Sequence, residues 1–500
     1  MSISHAHTLL PRPQRITALD GRLAWSEAHA QWLQETIDRG GEGDEAPPSP
    51  GVMVSVDKEG FNSQEAYRLD VYGNRVALVA GGAAGRYYGL RTLSQWIGGR
   101  EWIEAVTIED WPDFAVRGVM LDISRDKVPT QTTLSHIVRQ LAGWKINQVQ
   151  LYMEHTFAYE GHEVVWKDAS PMTPSEIRAL DQVCQRHHIA LVPNQNSFGH
   201  MHRWLKHDAY KYLAEVPEGI DHAFSPEREP FGLCPVEPGC LSFLGELYDQ
   251  LLPCFSSRVF NVGLDETIDL GRGRTAGRCE AVGTGRVYLE FVQSIANLVR
   301  SRGYSMQMWA DIVLEHESLT SDLEKDITLL LWGYEKDHPF DEQCRRVRDS
   351  DHPFYVCPGT SAWNSISGRI DNMIGNLREA ARAGRKFGAE GYLITDWGDN
   401  GHLQPLTASL PGWLLGAGCA WNGKAYGTTD ADDLAALLNR HALFDAGGVS
   451  GEVLVALGNA YKQLGWQRKN QSELFNLLLY PERNRERLAA EGVGAGIFRG

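Results

Sequence analysis

Residues 256–271, SSRVFNVGLDETIDLG, contain a pattern that recurs along most of this chain. An apolar strand ends in two adjacent carboxylates, Asp265 and Glu266, and a loop rich in Gly and Arg follows it. A helix-sized segment then occupies residues 286–302. Alternating strands and helices are typical of α/β proteins, whose functional side chains lie at the carboxyl ends of the strands.

Eight strands are predicted from Arg117 onward, and nearly all of them are followed by a helix or a helix-sized segment. The predicted strands are RGVMLDIS (117–124), INQVQLYM (146–153), HIALVPNQ (188–195), VFNVGLDE (259–266), YSMQMWAD (304–311), ITLLLWGYE (327–335), PFYVCPGT (353–360) and GYLITDWG (391–398). Eight units favour a closed (β/α)8 barrel, a TIM barrel, over an open doubly wound sheet, and no GxGxxG motif follows the first strand.

Shorter segments flank the predicted barrel. The strands YRLDVYG and RVALVAG, joined by a Gly-Asn turn, precede an amphipathic helix, AAGRYYGLRTLSQWI, and together they indicate a small α+β domain. Amphipathic helices such as DLAALLNRHALF near the C-terminus are expected to pack against the barrel. We therefore predict an α+β domain at 1–112, a catalytic barrel at 113–425 and a C-terminal helical segment at 426–500.

Composition limits the partners that this chain can have. Its 500 residues carry a formal net charge of −16, which argues against binding to nucleic acid or to an anionic membrane. No apolar run approaches the roughly 20 residues that span a bilayer, and the N-terminus lacks a secretory signal. Eight Cys without a CxxC motif favour free thiols and a cytoplasmic location. The sequence indicates no cofactor, and it leaves the choice between a monomer and a homodimer open.

Polar and aromatic residues recur where the predicted strands end. They are Glu154 and His155 after the second strand, Asn196 and His200 after the third, Trp309 and Asp311 after the fifth, Trp332 after the sixth, and Trp397 and Asp399 after the eighth. Arg117 opens the first strand and is expected to bind substrate. Aromatic rings and carboxylates that converge on one pocket fit a carbohydrate better than a phosphate or a nucleotide. His200 and His202 form an HxH pair, but no third ligand is suitably spaced, so we expect no metal.

The two acids at the end of the fourth strand suggest a glycosidase. Adjacent carboxyl groups do not ionise together easily, so one can stay protonated as a proton donor while the other stays charged. Ordinary retaining glycosidases place two carboxyl groups about 5 Å apart across the scissile bond. Neighbouring residues on one strand cannot attack from opposite sides, which favours a substrate that supplies its own nucleophile.

Several motifs, in their order, resemble those of the family 20 glycoside hydrolases, the β-N-acetylhexosaminidases. The resemblance covers most of the chain. The family's R-G-x-M-L-D, D-x-P-G-H, H-x-G-G-D-E and W-G-E motifs are similar to residues 117–122, 196–200, 261–266 and 397–399, respectively. In the third motif the family's His is replaced by Asn261 and its second Gly by Leu264.

The resemblance implies a retaining, exo-acting enzyme that releases a terminal β-linked N-acetylglucosamine or N-acetylgalactosamine through an oxazoline. Asp265 would orient the acetamido group, and Glu266 would act as acid and then as base. The substrate-binding residues implied or suggested by position are Arg117, Glu154, His155, Asn196, His200, Trp309, Trp332, Trp363, Trp397 and Asp399. The residue that binds the acetamido oxygen stays open between Trp363, Asn364 and Tyr334.

Two other functions compete with this hypothesis. One is a barrel glycosidase that acts on a sugar without an acetamido group through a covalent intermediate, with Glu154 as the nucleophile. The other is a sugar-binding protein of the same fold whose catalytic site is disabled, which the altered motif residues suggest.

Overall fold

The computed structural model describes residues 6–42, 51–225, 227–464 and 467–482, which form a five-stranded sheet, an eight-stranded barrel and C-terminal helices. The strands of the first sheet are β1 (Arg15–Ala24), β2 (Val52–Val56), β3 (Tyr67–Val71), β4 (Val76–Ala80) and β5 (Trp102–Asp110). The strands of the barrel are β6 (Val116–Asp122), β7 (Gln148–Tyr152), β8 (Ala190–Val192), β9 (Val259–Asn261), β10 (Ser305–Trp309), β11 (Thr328–Trp332), β12 (Phe354–Cys357) and β13 (Gly391–Asp396).

The helices lie mainly between the strands of the barrel and after them. They are α1 (Glu27–Asp38), α2 (Ala83–Ile97), α3 (Gln131–Gly143), α4 (Glu163–Trp166), α5 (Pro174–Arg186), α6 (His202–Leu205), α7 (Pro238–Leu251), α8 (Ala276–Val282), α9 (Thr284–Ser301), α10 (Asp311–Glu315), α11 (Glu317–Asp322), α12 (Phe340–Asp349), α13 (Ile370–Phe387), α14 (Leu410–Asn422), α15 (Ala431–His441), α16 (Ser450–Gly458) and α17 (Glu473–Leu479). Within the described residues, no helix has the length and apolar character needed to cross a bilayer.

The predicted (β/α)8 barrel is confirmed. Its eight strands are parallel and follow one another in chain order, and β13 pairs with β6. The ring closes between β8 and β9, where the amide of Gln195 donates to the carbonyl of Asn261 at 3.0 Å and the amide of Asn261 donates to the carbonyl of Pro193 at 3.0 Å. Consecutive pairing around a closed ring excludes the open doubly wound sheet, so the carboxyl ends of all eight strands meet at one mouth.

The predicted strands β3 and β4 and the helix α2 of the N-terminal domain are present, while β1, β2 and β5 were not predicted. The sheet has the strand order β1-β5-β3-β4-β2, and the buried residues of α2 pack against it. The C-terminal helices α15 to α17 fit the predicted helical segment, of which residues 483–500 lie outside the described residues. The three domain boundaries stay predictions.

Helix α5 begins with a capping box. The Thr173 hydroxyl accepts a hydrogen bond from the Glu176 amide at 3.2 Å, and the Glu176 carboxylate accepts one from the Thr173 amide at 2.8 Å. Pro174 occupies the first turn, where its missing N–H costs nothing. This capping box fixes the start of the helix that connects β7 to β8.

Arg117 does not reach the mouth of the barrel, so its prediction as a sugar ligand is wrong. It lies near the amino end of β6, the end opposite to the mouth, and its side chain is buried. Its two terminal nitrogens each contact one carboxylate oxygen of Glu65 at 2.7 Å, and its Nε donates to the carbonyl of Lys145 at 2.8 Å. Glu65 precedes β3, so this ion pair ties the N-terminal domain to the bottom of the barrel.

We expect Arg117→Met to lower the free energy of unfolding by about 3–5 kcal/mol, because it leaves the Glu65 carboxylate without its buried partner. Denaturant unfolding measures this loss, and adding Glu65→Gln to the same chain should restore part of it. The KM of the folded variant for any substrate should equal that of the wild type. A raised KM without loss of stability would show that Arg117 binds the substrate.

Candidate active site

The two acids after β9 face one cavity because the backbone leaves the strand conformation. Strand β9 ends at Asn261, and φ is +74° at Gly263, +77° at Leu264 and +46° at Glu266. A regular strand would direct Asp265 and Glu266 to opposite faces. The left-handed residues break this alternation, and both carboxylates line the same cavity at the mouth of the barrel.

The segment that follows β8 fits closely against this loop. A Cβ atom at Gly263 would collide with the side-chain oxygen of Asn196, and a Cβ atom at Gly199 would lie 2.6 Å from the carbonyl oxygen of Asp265. Only glycine permits both approaches. The motifs at 196–200 and 261–266 are therefore two halves of one packed unit.

His200 lies between the carboxylates of Asp265 and Glu266 on one side and a buried glutamate on the other. Its Nε2 is 3.2 Å from Glu266 Oε2 and 3.4 Å from Asp265 Oδ2, and its Nδ1 is 3.9 Å from Glu154 Oε1. Burial alone would lower the pKa of His200, but the charge of Asp265 and hydrogen bonds to both acids raise it to about 10. At neutral pH the imidazole of His200 is therefore protonated and lies beside both acids.

Asp311 holds the backbone of the acid pair from the other side. Its Oδ2 accepts a hydrogen bond from the amide of Glu266 at 3.0 Å, which stabilises the left-handed conformation there. Burial, followed by the charge of Asp265, raises the pKa of Asp311 to about 7. The mouth of the barrel therefore concentrates carboxyl groups, and their number makes full ionisation of all of them costly.

Arg125 supplies the positive charge that this mouth needs. Its Nη2 is 3.0 Å from Glu154 Oε1, and its Nη1 is 3.1 Å from Asp122 Oδ2. Burial opposes its charge, yet Glu154 and the other anionic groups keep the pKa of Arg125 well above its ordinary value. Its guanidinium also stacks over the ring of Trp397 at 5.5 Å, so a fixed cation lines the cavity.

Aromatic rings form most of the remaining wall of the cavity, whose volume is about 180 Å³. The lining residues are Arg125, His200, Phe224, Asp265, Glu266, Trp309, Trp332, Tyr334, Trp363, Trp397, Asp399 and Asn470. The ring of Tyr334 stacks on Trp332 at 5.3 Å and meets Trp363 edge-on at 5.0 Å. The Tyr334 hydroxyl accepts a hydrogen bond from Trp397 Nε1 at 2.8 Å, which leaves its own proton to donate to a ligand oxygen.

The structure brings most of the predicted site residues to this cavity. Those that line it are His200, Asp265, Glu266, Trp309, Trp332, Trp363, Trp397 and Asp399. Glu154, His155 and Asn196 are buried and do not line it. Glu154 contacts Arg125, and Asn196 donates to the hydroxyl of Tyr152. Burial, with nearby cations, lowers the pKa of His155 to about 3, so its ring is neutral.

Three lining residues were not predicted: Arg125, Phe224 and Asn470. A signal for Arg125 existed, because it follows the carboxyl end of β6, where a barrel places its functional groups, whereas Arg117 stands near the amino end. Phe224 lies in the long segment between β8 and α7, and Asn470 comes from the C-terminal segment. No periodicity or spacing relates these two residues to the strands.

His200, Asp265 and Glu266 also have the composition of a metal site. One ligand atom from each lies within 4.8 Å of the other two, the one such group found in the described parts of the chain. A metal requires a neutral imidazole, and the raised pKa of His200 opposes that state at neutral pH. The arrangement is better suited to holding a proton than a cation.

A closed (β/α)8 barrel with two adjacent carboxyl groups on the wall of a tryptophan-lined cavity has the features of a carbohydrate-active enzyme. Comparison with known families agrees. Residues 6–111 match the model for glycosyl hydrolase family 20, domain 2, and residues 114–363 match that for the glycosyl hydrolase family 20 catalytic domain. The chain belongs to glycosyl hydrolase family 20 and is a glycoside hydrolase.

Known proteins of similar sequence or structure include hexosaminidases. Human hexosaminidase D is 27% identical over 318 residues, which is 60% of this chain and 63% of that protein. Hexosaminidase D of Bos taurus is 27% identical over 315 residues, 59% of this chain and 88% of that protein. The crystal structure of a β-N-acetylhexosaminidase from Bacteroides fragilis superposes with a TM-score of 0.68 at 17% identity, covering 88% of this chain and 96% of that one.

The cluster around His200 predicts how stability depends on pH. Because its pKa is about 10 in the folded protein and about 6.5 when unfolded, the stabilisation is complete below pH 6.5 and is lost as the pH rises through 10. Relative to His200→Gln, the wild type should lose a few kcal/mol of unfolding free energy between pH 6.5 and 10. The steepest slope should be about 1.4 kcal/mol per pH unit.

Denaturant unfolding at a series of pH values measures this difference. His202→Gln is the control, because burial lowers the pKa of His202 and removes any such slope above pH 7. Parallel curves for the wild type and His200→Gln between pH 7 and 10 would contradict the presence of a proton bound to His200.

Proposed function

We propose that this chain is an exo-acting, retaining β-N-acetylhexosaminidase that releases terminal N-acetylglucosamine, N-acetylgalactosamine or both. The observation that carries the proposal is the placement of Asp265 and Glu266 side by side on the wall of a cavity whose other walls are tryptophan and tyrosine rings. Two acids on one wall suit a reaction in which the acetamido group of the substrate is the nucleophile.

In the first step, the acetamido oxygen attacks the anomeric carbon while the glycosidic C–O bond breaks. Glu266 transfers its proton to the departing oxygen, and His200, whose Nε2 lies 3.2 Å from Glu266 Oε2, positions this carboxyl group. Asp265 accepts a hydrogen bond from the acetamido N–H and stabilises the positive charge of the oxazolinium ring that forms. The Tyr334 hydroxyl donates to the acetamido oxygen and orients it for attack.

In the second step, water attacks the anomeric carbon from the face that the leaving group has vacated. Glu266, now ionised, takes the proton from this water, and the C–O bond of the oxazolinium ring breaks to regenerate the acetamido group. Each step inverts the anomeric carbon, so the configuration is retained overall. Trp309, Trp332 and Trp397 enclose the acetamido group and exclude other water molecules.

The hydroxyl groups of the sugar are bound by Arg125 and Asp399. Arg125 presents a fork of donors that Glu154 and Asp122 hold in place. Burial raises the pKa of Asp399 to about 6, so its carboxylate is mostly ionised at neutral pH and can accept hydrogen bonds. The cavity of about 180 Å³ is smaller than the roughly 300–1,000 Å³ typical of drug-sized ligands and suits one terminal sugar.

The alternative of a covalent intermediate on Glu154 has little support. Glu154 is fully buried, and its Oε1 contacts both Arg125 Nη2 at 3.0 Å and the hydroxyl of Tyr152 at 2.9 Å. It lies behind His200 and does not line the cavity. A nucleophile must touch the anomeric carbon, and Glu154 is placed to support His200 and Arg125 instead.

A cytoplasmic location and a homodimer both stay predictions. The eight cysteines are free and buried, which suits a reducing compartment. Size-exclusion chromatography with light scattering would decide between a monomer and a dimer.

A panel of chromogenic glycosides tests the function directly. We expect hydrolysis of the β-N-acetylglucosaminide, the β-N-acetylgalactosaminide or both, and none of the β-glucoside and β-galactoside, because the nucleophile is absent from those two. Glu266→Gln should lower kcat by about 10²–10⁴-fold, since a positioned acid contributes that much. Cleavage of the plain glycosides with the acetamido sugars untouched would refute the proposal, and sugar binding without turnover would indicate a disabled enzyme.

Tyr334→Phe tests which residue binds the acetamido oxygen. Loss of one hydrogen bond that strengthens in the transition state should lower kcat about 10–100-fold with a smaller change in KM. Affinity for a thiazoline that mimics the oxazoline should fall in parallel. Asn364→Ala serves as the comparison, and a larger loss of thiazoline affinity in that variant would move the role away from Tyr334.

A further inference from the structure

A residue from the C-terminal segment completes the wall of the cavity. Asn470 lies in a tight turn between Arg468 and Gln471, which form a β-bridge, and it lines the cavity beside residues from the barrel strands. Its φ is +58°, a conformation that asparagine tolerates better than most residues. Its side-chain amide makes no hydrogen bond with any described residue, although its backbone is firmly held.

A buried ion pair holds the backbone of this turn in place. Glu335, which follows Tyr334 in sequence, receives two hydrogen bonds from Arg369, at 3.0 and 2.8 Å. The same Glu335 carboxylate accepts a hydrogen bond from the amide of Asn470 at 2.7 Å, and Arg369 donates to the carbonyl of Arg468 at 3.3 Å. The side chain of Arg369 is almost fully buried, so the turn rests on a rigid base.

A second contact connects the same segment to the sugar-binding end of the cavity. The amide of Ser472 donates to the carbonyl of Asn364 at 2.8 Å. The side-chain amide of Asn364 in turn donates to Asp399 Oδ2 at 3.1 Å. Asn470 is therefore fixed beside residues that follow the ends of β11, β12 and β13, namely Glu335, Asn364 and Asp399.

We propose that Asn470 is a substrate-binding residue whose side-chain amide forms a hydrogen bond with the 4- or 6-hydroxyl of the terminal sugar. An amide offers both a donor and an acceptor, which suits a hydroxyl group, and its backbone is already ordered before substrate arrives. The contact acts with Asp399 on the non-reducing end of the sugar. This inference rests on the proposed function, because it assigns the orientation of the same substrate.

Asn470→Gly is the decisive variant, because glycine keeps the positive φ of the turn and removes only the amide side chain. Lys469→Ala, an exposed neighbour in the same turn that does not line the cavity, is the matched control. We expect Asn470→Gly to raise KM for the aryl N-acetylhexosaminide about five- to tenfold with little change in kcat. This is the effect of losing one hydrogen bond that is equally strong in the bound substrate and in the transition state. The control should equal the wild type, and the unfolding midpoints of all three proteins should agree.

Substrates that lack one hydroxyl separate a direct contact from an indirect effect. With the 4-deoxy and 6-deoxy analogues of the same glycoside, the penalty of Asn470→Gly should vanish for the analogue that lacks the contacted hydroxyl and persist for the other. An equal penalty on all three substrates, or none on the parent glycoside, would overturn the inference.

Failure of the proposed function can be distinguished from failure of the role assigned to Asn470. A wild type without activity on acetamido sugars would refute that function whatever Asn470 does. The role of Asn470 can still be decided by calorimetric titration of the wild type and both variants with N-acetylglucosamine, because binding needs no turnover. Equal affinity in wild type and Asn470→Gly would overturn the inference, and affinity weakened about five- to tenfold in Asn470→Gly alone would support it.

Discussion

The positive φ angles at Gly263, Leu264 and Glu266 are the constraint on which the site depends. Conformations of this kind cost about 1–3 kcal/mol at a residue other than glycine, and they persist only where the surroundings determine them. Here the surroundings are Asn196 and Gly199 on one side and the carboxylate of Asp311 on the other. The strain delivers two neighbouring carboxyl groups to one wall, which a pleated strand cannot do.

Electrostatic interactions link the carboxyl groups at the mouth of the barrel to His200 and Arg125. Three carboxyl groups surround His200, and Arg125 neutralises part of their charge from behind. The strongly raised pKa of His200 and the raised pKa of Asp311 have the same origin, since anionic groups are crowded into a poorly hydrated mouth. A protonated imidazole thus lies 3.2 Å from the Glu266 carboxylate.

The barrel was predictable because alternating apolar runs and amphipathic segments are local signals, and eight of them leave few alternatives. The acid pair and the tryptophans were predictable because strand ends mark the mouth. Arg117 misled the prediction, since an arginine within an apolar strand suggests function, whereas its partner Glu65 is far away in sequence. The position of Arg125, just after the carboxyl end of the first barrel strand, could have predicted its place in the cavity. No sequence feature predicts that of Asn470, because only tertiary packing brings it to the cavity.

The position of Asn470 also has a consequence for how the protein is made. Arg125 is synthesised more than 300 residues before the turn at 468–471, yet the cavity gains its last wall only when that turn docks on Glu335 and Arg369. Contacts between segments so far apart in sequence form late and slowly. A nascent chain can therefore hold a folded barrel while its cavity is still open on one side, and the cavity becomes complete only after residues 468–471 have been synthesised.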